Sequence, residues 1–288
     1  MPELPEVEVV RAGLEPALVG ATIERVEVFD ARSLKRHDAR RGDFVGMLTG
    51  VQVVSAQRRG KFMWFPLATG DALVVHLGMS GQVLLRTTDA PTDRHLRIQF
   101  TVRTATGDTV LVNFVDQRIF GSMAVDSMLT VGEREVPSQV AHIAPDPLEP
   151  AFDDEAFITR VRGKHTGIKR ALLDQTVISG VGNIYADESL WASKIHAERA
   201  CDSLSKAHVR TLLGEVRAVL NKALGEGGTS FDAQYLNVNG EAGYFAHSLN
   251  AYGRQGQPCS RCGTAIRRVS FMNRGTHFCP RCQRENMR

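Results

Sequence analysis

Apolar residues near the start of the chain fall at Val7, Val10, Leu14 and Leu18, the spacing of one helical face. Residues 5–19 are therefore expected to form an amphipathic helix that stops at Gly20. Beyond Gly20 the period shortens. Runs over 22–29, 51–57, 61–67, 72–77, 81–86, 95–102 and 109–115 read as strands. Turn signals such as Thr69-Gly70-Asp71 and Ala105-Thr106-Gly107-Asp108 divide them. The run from His95 alternates cleanly, with Leu96, Ile98, Phe100 and Val102 on one face. Consecutive short strands without helices between them predict an antiparallel sandwich or barrel carrying an N-terminal helix.

From about residue 145 the pattern reverses. The proline-rich stretch APDPLEP is followed by helical periodicity over 153–163, 167–175, 184–194 and 205–224. Between the second and third of these lies VISGVGNIY, too glycine-rich for helix. A turn with free amides ahead of a helix N-terminus is a natural phosphate seat. Asn183 is expected to cap that helix and to reach a phosphate oxygen. The following stretch, EGGTSFDAQYLNVNGEAGYF, reads as a long polar loop, and loops of that length usually carry function.

Charge and cysteine change the picture at the C-terminal end. Residues 251–288 hold eight arginines against one acid, Glu285, while the whole chain carries only +3. The rest of the chain is therefore net negative, and the basic end has the look of a phosphate-binding element. Cys259, Cys262, Cys279 and Cys282 within it are spaced C-x2-C-x16-C-x2-C, so two thiolate knuckles can close a tetrahedral site for one structural Zn2+. Paired disulfides are the alternative, but only Cys201 lies elsewhere and no secretory signal is present. Cys201 is expected to be a packing residue. At 288 residues with ordinary apolar content and no run approaching a membrane span, a soluble cytoplasmic protein is the expectation.

Four stretches invite chemistry. MPELPE can be a helix start, with Pro5 at an opening position and Glu6 in a first turn where acids suit the dipole. Alternatively, removal of Met1 leaves Pro2 with a free secondary amine. An α-amino group titrates near about 8 and so is partly unprotonated at neutral pH, fit to attack a carbonyl-like carbon. RRGKF puts Lys61 among strand residues beside Gly60. HLGMSG and DQRIFG set Met79, Arg118 and Phe120 on turns, as packing residues or as wedges for a base stack.

Together, PELPEVE, RRGK, HLGMSG, DQRIFG, GVGNIYADE, GGT…GYF, YGRQGQPCSRCG and FCPRCQ closely resemble bacterial formamidopyrimidine-DNA glycosylase, from Pro2 to Gln283. The resemblance implies a multidomain α+β fold: an antiparallel β-sandwich with an N-terminal helix (2–135), a helix–two-turn–helix domain with a lesion-capping loop (145–250) and a zinc-finger β-hairpin (251–288). It implies a DNA glycosylase and abasic-site lyase acting on 8-oxoguanine and formamidopyrimidines in duplex DNA, without an organic cofactor and as a monomer in the bacterial cytoplasm, on nucleoid DNA. Pro2 corresponds to the nucleophile and Glu3 to the proton donor. Lys61 corresponds to the lysine acting on the lesion phosphate and in β-elimination, and Arg274 to the arginine of δ-elimination. His95, Arg118, Lys164 and Asn183 correspond to DNA contacts, Met79 and Phe120 with Arg118 to the group that fills the gap left by the everted base. Gly228, Thr229 and Ser230 correspond to the lesion-capping loop. Ile119 departs from relatives that carry a second arginine there. Endonuclease VIII, the sister enzyme for oxidised pyrimidines, usually begins PEGPE; Leu4 favours the purine branch. A zinc-containing damage sensor and a transcriptional zinc ribbon are the non-catalytic alternatives.

Overall fold

In the computed structural model the described residues are 2–229, 237–239 and 243–285. The chain forms two compact units, Met1–His142 with Gly227–Gly243, and Ile143–Glu226 with Tyr244–Arg288.

The first unit opens with α1, Leu4–Leu18, which buries Val7, Val10, Leu14 and Leu18 as the periodicity requires. Among the described residues nine strands follow: β1 Thr22–Val28, β2 Gln57–Arg59, β3 Phe62–Pro66, β4 Asp71–His76, β5 Gly81–Arg86, β6 Leu96–Arg103, β7 Thr109–Asp116, β8 Ser122–Val131 and β9 Arg134–Pro137. One sheet has the order β1-β6-β7-β5, the other β2-β3-β4-β8-β9. Every pairing within them is antiparallel. Ile98, Phe100 and Phe114 of the first sheet, Met63, Phe65 and Val75 of the second, and the apolar face of α1 share one core. Each such side chain contributes roughly 1.5–3 kcal/mol on burial.

The departures from expectation are local. The run 51–57 is not one strand: Gln52 bridges Thr22 at the four-stranded sheet, while Val53 bridges Leu67 beyond β3. The segment crosses from one sheet to the other and pairs briefly with each. His95 sits at φ 65, so β6 begins only at Leu96. A short helix, α2 Phe44–Leu48, with Asp43 accepting Gly46 N–H as its N-cap, was not expected, nor was the β8–β9 hairpin.

The second unit contains α3 Asp154–Arg162, α4 Ile168–Leu173, α5 Asn183–Ser193 and α6 Lys206–Gly225, followed by the hairpin β10 Arg267–Phe271 and β11 Arg274–Phe278. Side chains of Asp153 and Ser205 cap α3 and α6. Such caps are worth about 1 kcal/mol each. Among the described residues no helix is long and apolar enough to cross a membrane.

Candidate functional site

The N-terminus of α1 is tied in on itself and onto a distant loop. Glu3 and Glu6 form a capping box, in which Glu6 Oε2 accepts Glu3 N–H at 2.8 Å. The other oxygen of Glu6 accepts from Thr229 N at 2.8 Å and Thr229 Oγ1 at 2.9 Å. Gly228 is at φ 82, and a Cβ there would lie 3.1 Å from Glu6 Oε1. Glycine is needed where backbone comes so close to a carboxylate. Pro2, Glu3 and Glu6 are all buried. Pro2 lines a small open pocket with Glu6, Leu77, Gln82, Gly227 and Thr229. The structure thus brings Pro2, Gly228 and Thr229 to one place, with Glu6 between them. Ser230 lies outside the described residues. In the sequence alone Glu6 is only an acid in a first helical turn.

Lys61 occupies the tip of the β2–β3 hairpin. Arg59 pairs with Phe62, leaving a two-residue turn in which Gly60 takes φ 55. Such turns need a positive φ that glycine supplies at no steric cost. Arg58 fixes this hairpin to α1 by donating to Glu8 at 2.9 Å, and Arg11 donates to the same carboxylate. Burial pushes the Glu8 carboxyl up, but the hydrogen bonds from Arg11 and Arg58 outweigh it and hold the group low. His76, at the end of β4, packs its ring 4.5 Å from that of Phe62. Burial, then the charges of Arg36, Lys61 and Lys35, pull it down to about 4. It is a neutral imidazole beside a cationic hairpin; it opens the HLGMSG motif, where only Met79 carries an expected role.

Met79 lies in the turn between β4 and β5; Arg118 and Phe120 lie in the turn between β7 and β8. Met79 is 38% and Phe120 39% exposed, so the packing reading of these two does not hold. The Arg118 guanidinium stacks over the Phe120 ring at 4.5 Å. His95, half-buried, precedes β6, and its carbonyl accepts Asp116 N–H at 3.0 Å.

In the second unit the glycine turn leads into α5, but the N-cap is Gly182, which has no side chain with which to cap the helix. Asn183 is its first residue, and its amide donates to Gly275 O of β11 at 3.0 Å. The expected cap is replaced by a bond to the hairpin. The turn amides are not all open either, since Gly180 N–H is taken by Gln175 at 2.9 Å. Lys164 is paired with Asp174 at 2.9 Å. Arg274 opens β11, exposed, just after Met272 and Asn273 turn the hairpin at φ 45 and 60. A buried network mounts that hairpin on the helices. Lys169 Nζ donates to Asp187 Oδ1 at 2.6 Å and to Thr276 Oγ1 at 2.8 Å, and Asp187 also accepts His277 N at 2.8 Å. The adjacent Glu188 accepts the N–H groups of Asn250, Ala251 and Tyr252. Both acids of the ADE motif are therefore spent on holding the segments around the cysteines.

The sulfurs of Cys259, Cys262, Cys279 and Cys282 all lie within 4.8 Å of one another. Cys262 and Cys279 are 3.4 Å apart, too far for a disulfide and close to the roughly 3.8 Å edge of a tetrahedron with 2.3 Å Zn–S bonds. Hydrogen bonds from Thr264 pull Cys262 down to about 6, whereas burial and the neighbouring sulfurs push Cys282 up to about 12. Repulsion among crowded thiolates is what a dication relieves, so the donor set fits one Zn2+ held by the four cysteines. Trp191 Nε1 donates to Cys259 Sγ at 3.4 Å. Cys201 is buried, as expected of a packing residue.

Family models match three stretches of the chain. They are the formamidopyrimidine-DNA glycosylase N-terminal domain over 1–123, the H2TH domain of the same glycosylase over 143–234, and the zinc finger found in FPG and IleRS over 256–284. A formamidopyrimidine-DNA glycosylase of Leifsonia xyli is 59% identical, covering 99% of this chain and 100% of that one. Among solved structures, a mutant of the Lactococcus lactis enzyme in complex with Fapy-dG DNA gives a TM-score of 0.84 at 33% identity, over 98% of this chain and 100% of that one. A complex of MutM with carbocyclic 8-oxo-G DNA gives 0.83, with the same identity and coverage. The wild-type L. lactis protein with DNA containing an oxidised pyrimidine gives 0.82, again at 33% and over 98% and 100%.

Proposed function

This chain belongs to the formamidopyrimidine-DNA glycosylase family, bifunctional DNA glycosylases and abasic-site lyases, and on that premise we propose that it removes oxidised purines from duplex DNA through a Schiff base at Pro2. The observation that carries the reading is Pro2, buried beside the Glu3–Glu6 capping box on the wall of a pocket that Gly227 and Thr229 also line. A base inside a duplex is out of reach at C1′, so the nucleotide is first everted, at a cost of about a few kcal/mol of unstacking. Met79, Arg118 and Phe120 fill the gap, and their exposure supports that role. The Pro2 nitrogen, free once Met1 is gone, gives its lone pair to C1′; the glycosidic bond breaks, its electron pair leaves with the base, and the proton shed by the alkylated Pro2 nitrogen balances the one the base takes up. Glu3 protonates the sugar ring oxygen as the ring opens, leaving an iminium on Pro2. The iminium acidifies C2′, whose proton loss expels the 3′ phosphate, with Lys61 holding the lesion-strand phosphate and donating a proton. A second elimination, assigned to Arg274, expels the 5′ phosphate.

In this reading residues 2–135 form the catalytic domain, with Arg274 of the hairpin added for the second elimination. Residues 145–250 grip the duplex, with His95 of the first segment, Lys164 and Asn183 as further DNA contacts, and Gly228, Thr229 and Ser230 begin the loop that caps the everted base. Residues 251–288 add the zinc hairpin. The protein works as a monomer in the cytoplasm, on nucleoid DNA. The L. lactis complex with an oxidised pyrimidine supports a second, wider specificity. Duplexes carrying 8-oxoguanine opposite C or A, and one carrying oxidised thymine, separate the two. Preferential cleavage of the 8-oxoguanine strands is expected. Faster cleavage at oxidised thymine would move the enzyme to the pyrimidine branch, and binding without cleavage would make it a sensor.

A further inference from the structure

Met79, Arg118 and Phe120 stand on two turns separated in sequence, yet three exposed groups can fill one gap only if those turns keep a fixed register. The carboxylate of Asp116, fully buried at the end of β7, lies where both turns can reach it. Its Oδ1 accepts from Ser80 Oγ at 2.5 Å in the first turn, and from Arg118 N at 3.1 Å and Ile119 N at 3.0 Å in the second. Its Oδ2 accepts Gly121 N–H at 2.7 Å. Four donors from two turns thus converge on a single side chain.

Two further features show that the arrangement is held under constraint. Gly78 is at φ 64, and a Cβ there would fall 2.4 Å from the Phe120 carbonyl carbon, so the two turns touch through their backbones. Ile119 sits at φ 55, a conformation that β-branched residues avoid. Asp116 takes its N–H, and Lys35 Nζ donates to its carbonyl at 2.9 Å and to that of Phe120 at 3.1 Å.

We propose that Asp116 is the positioning residue of the gap-filling group, holding Met79 in register with Arg118 and Phe120. The inference rests on the reading that these three enter the stack. Asp116→Asn puts an NH2 group against backbone N–H donors, and so breaks the register while leaving all three groups in place. Single-turnover release of 8-oxoguanine from a duplex should slow by about 10- to 100-fold, while release from a single strand, which has no stack to fill, changes by less than about 2-fold. Phe120→Ala should show the same duplex-only loss, and the double variant should be no slower than the worse single. Equal slowing on both substrates would make Asp116 a purely structural residue and overturn the proposal. So would a normal Asp116→Asn rate beside a slowed Phe120→Ala. If Phe120→Ala shows no duplex-selective loss, the reading beneath falls, and the proposal with it. Should Asp116→Asn not fold, Ser80→Ala decides, since it withdraws one donor and keeps the carboxylate. Slowing on the duplex alone supports the proposal, and parent rates on both substrates overturn it.

Discussion

Asp187→Ala would remove the acceptor at the centre of the network that holds β11, the strand that begins with Arg274. Lys169 is 0% and Asp187 1% exposed, at 2.6 Å. Alanine takes the Asp187 carboxylate from the ammonium, and strips Thr276 Oγ1 and His277 N of the same acceptor. Breaking a buried pair from one side costs about 3–5 kcal/mol, a drop in Tm of roughly 10–20 °C for a unit of this size. The double replacement Lys169→Met with Asp187→Leu removes both charges and should recover part of that loss, the donors of Thr276 and His277 still lacking the Asp187 acceptor. Zinc release into a chromogenic chelator during a thermal ramp reads the event, because the same hairpin runs directly into Cys279. Fluorescence of Trp191, stacked against Arg261 at 3.7 Å, gives an independent signal. Should Asp187→Ala release zinc at the parent's temperature, or the double variant prove as unstable as the single, the pair is not what holds the hairpin.

Three other outcomes follow from the geometry. Cys279→Ser should lose zinc and weaken duplex binding, since a structural zinc site supplies folding energy directly; retained metal with normal binding contradicts the assignment. Native His76 titrates at about 4 against 6.5 when unfolded, so the stability it contributes is full above pH 6.5 and is lost as pH falls toward 4. Urea midpoints should decline across that window and His76→Gln should flatten the decline; an unaltered slope refutes it. Lys61→Ala should reduce 8-oxoguanine release far more than affinity for undamaged duplex, because one lost phosphate contact shifts the salt slope by only about 0.9; equal losses on both would reduce Lys61 to surface charge.

What could be read from the sequence was what repeats locally. The helical spacing of Val7 to Leu18, the alternation from Leu96 to Val102 and the cysteine knuckles each declare themselves within a short window. The strand β8 did not, because its first five residues are all buried and so show no alternation. The partners of three organising carboxylates were hidden for another reason, although each lies in a quoted motif. Glu6, Asp116 and Asp187 each meet partners that are 223, 36 and 89 positions away, and no periodicity links such pairs. The residue type of Asn183 suits a cap, but it stands one position inside α5 and its side-chain NH2 donates to the backbone of β11. The exposure of Met79 and Phe120 also needed the fold, since a turn sequence alone allows either a packed or a projecting side chain.

The central claim is that the Pro2 amine forms the covalent link to DNA. Borohydride added during turnover on an 8-oxoguanine duplex reduces an iminium to a stable amine, and peptide mapping then locates the attachment. The account predicts one adduct, on Pro2. It also predicts that a protein with an uncleavable extension ahead of Pro2, whose nitrogen is then an amide without an available lone pair, gives no adduct and releases no base while keeping its zinc and its affinity for duplex. An adduct mapped to a lysine, or base release at the parent rate by the extended protein, would contradict it.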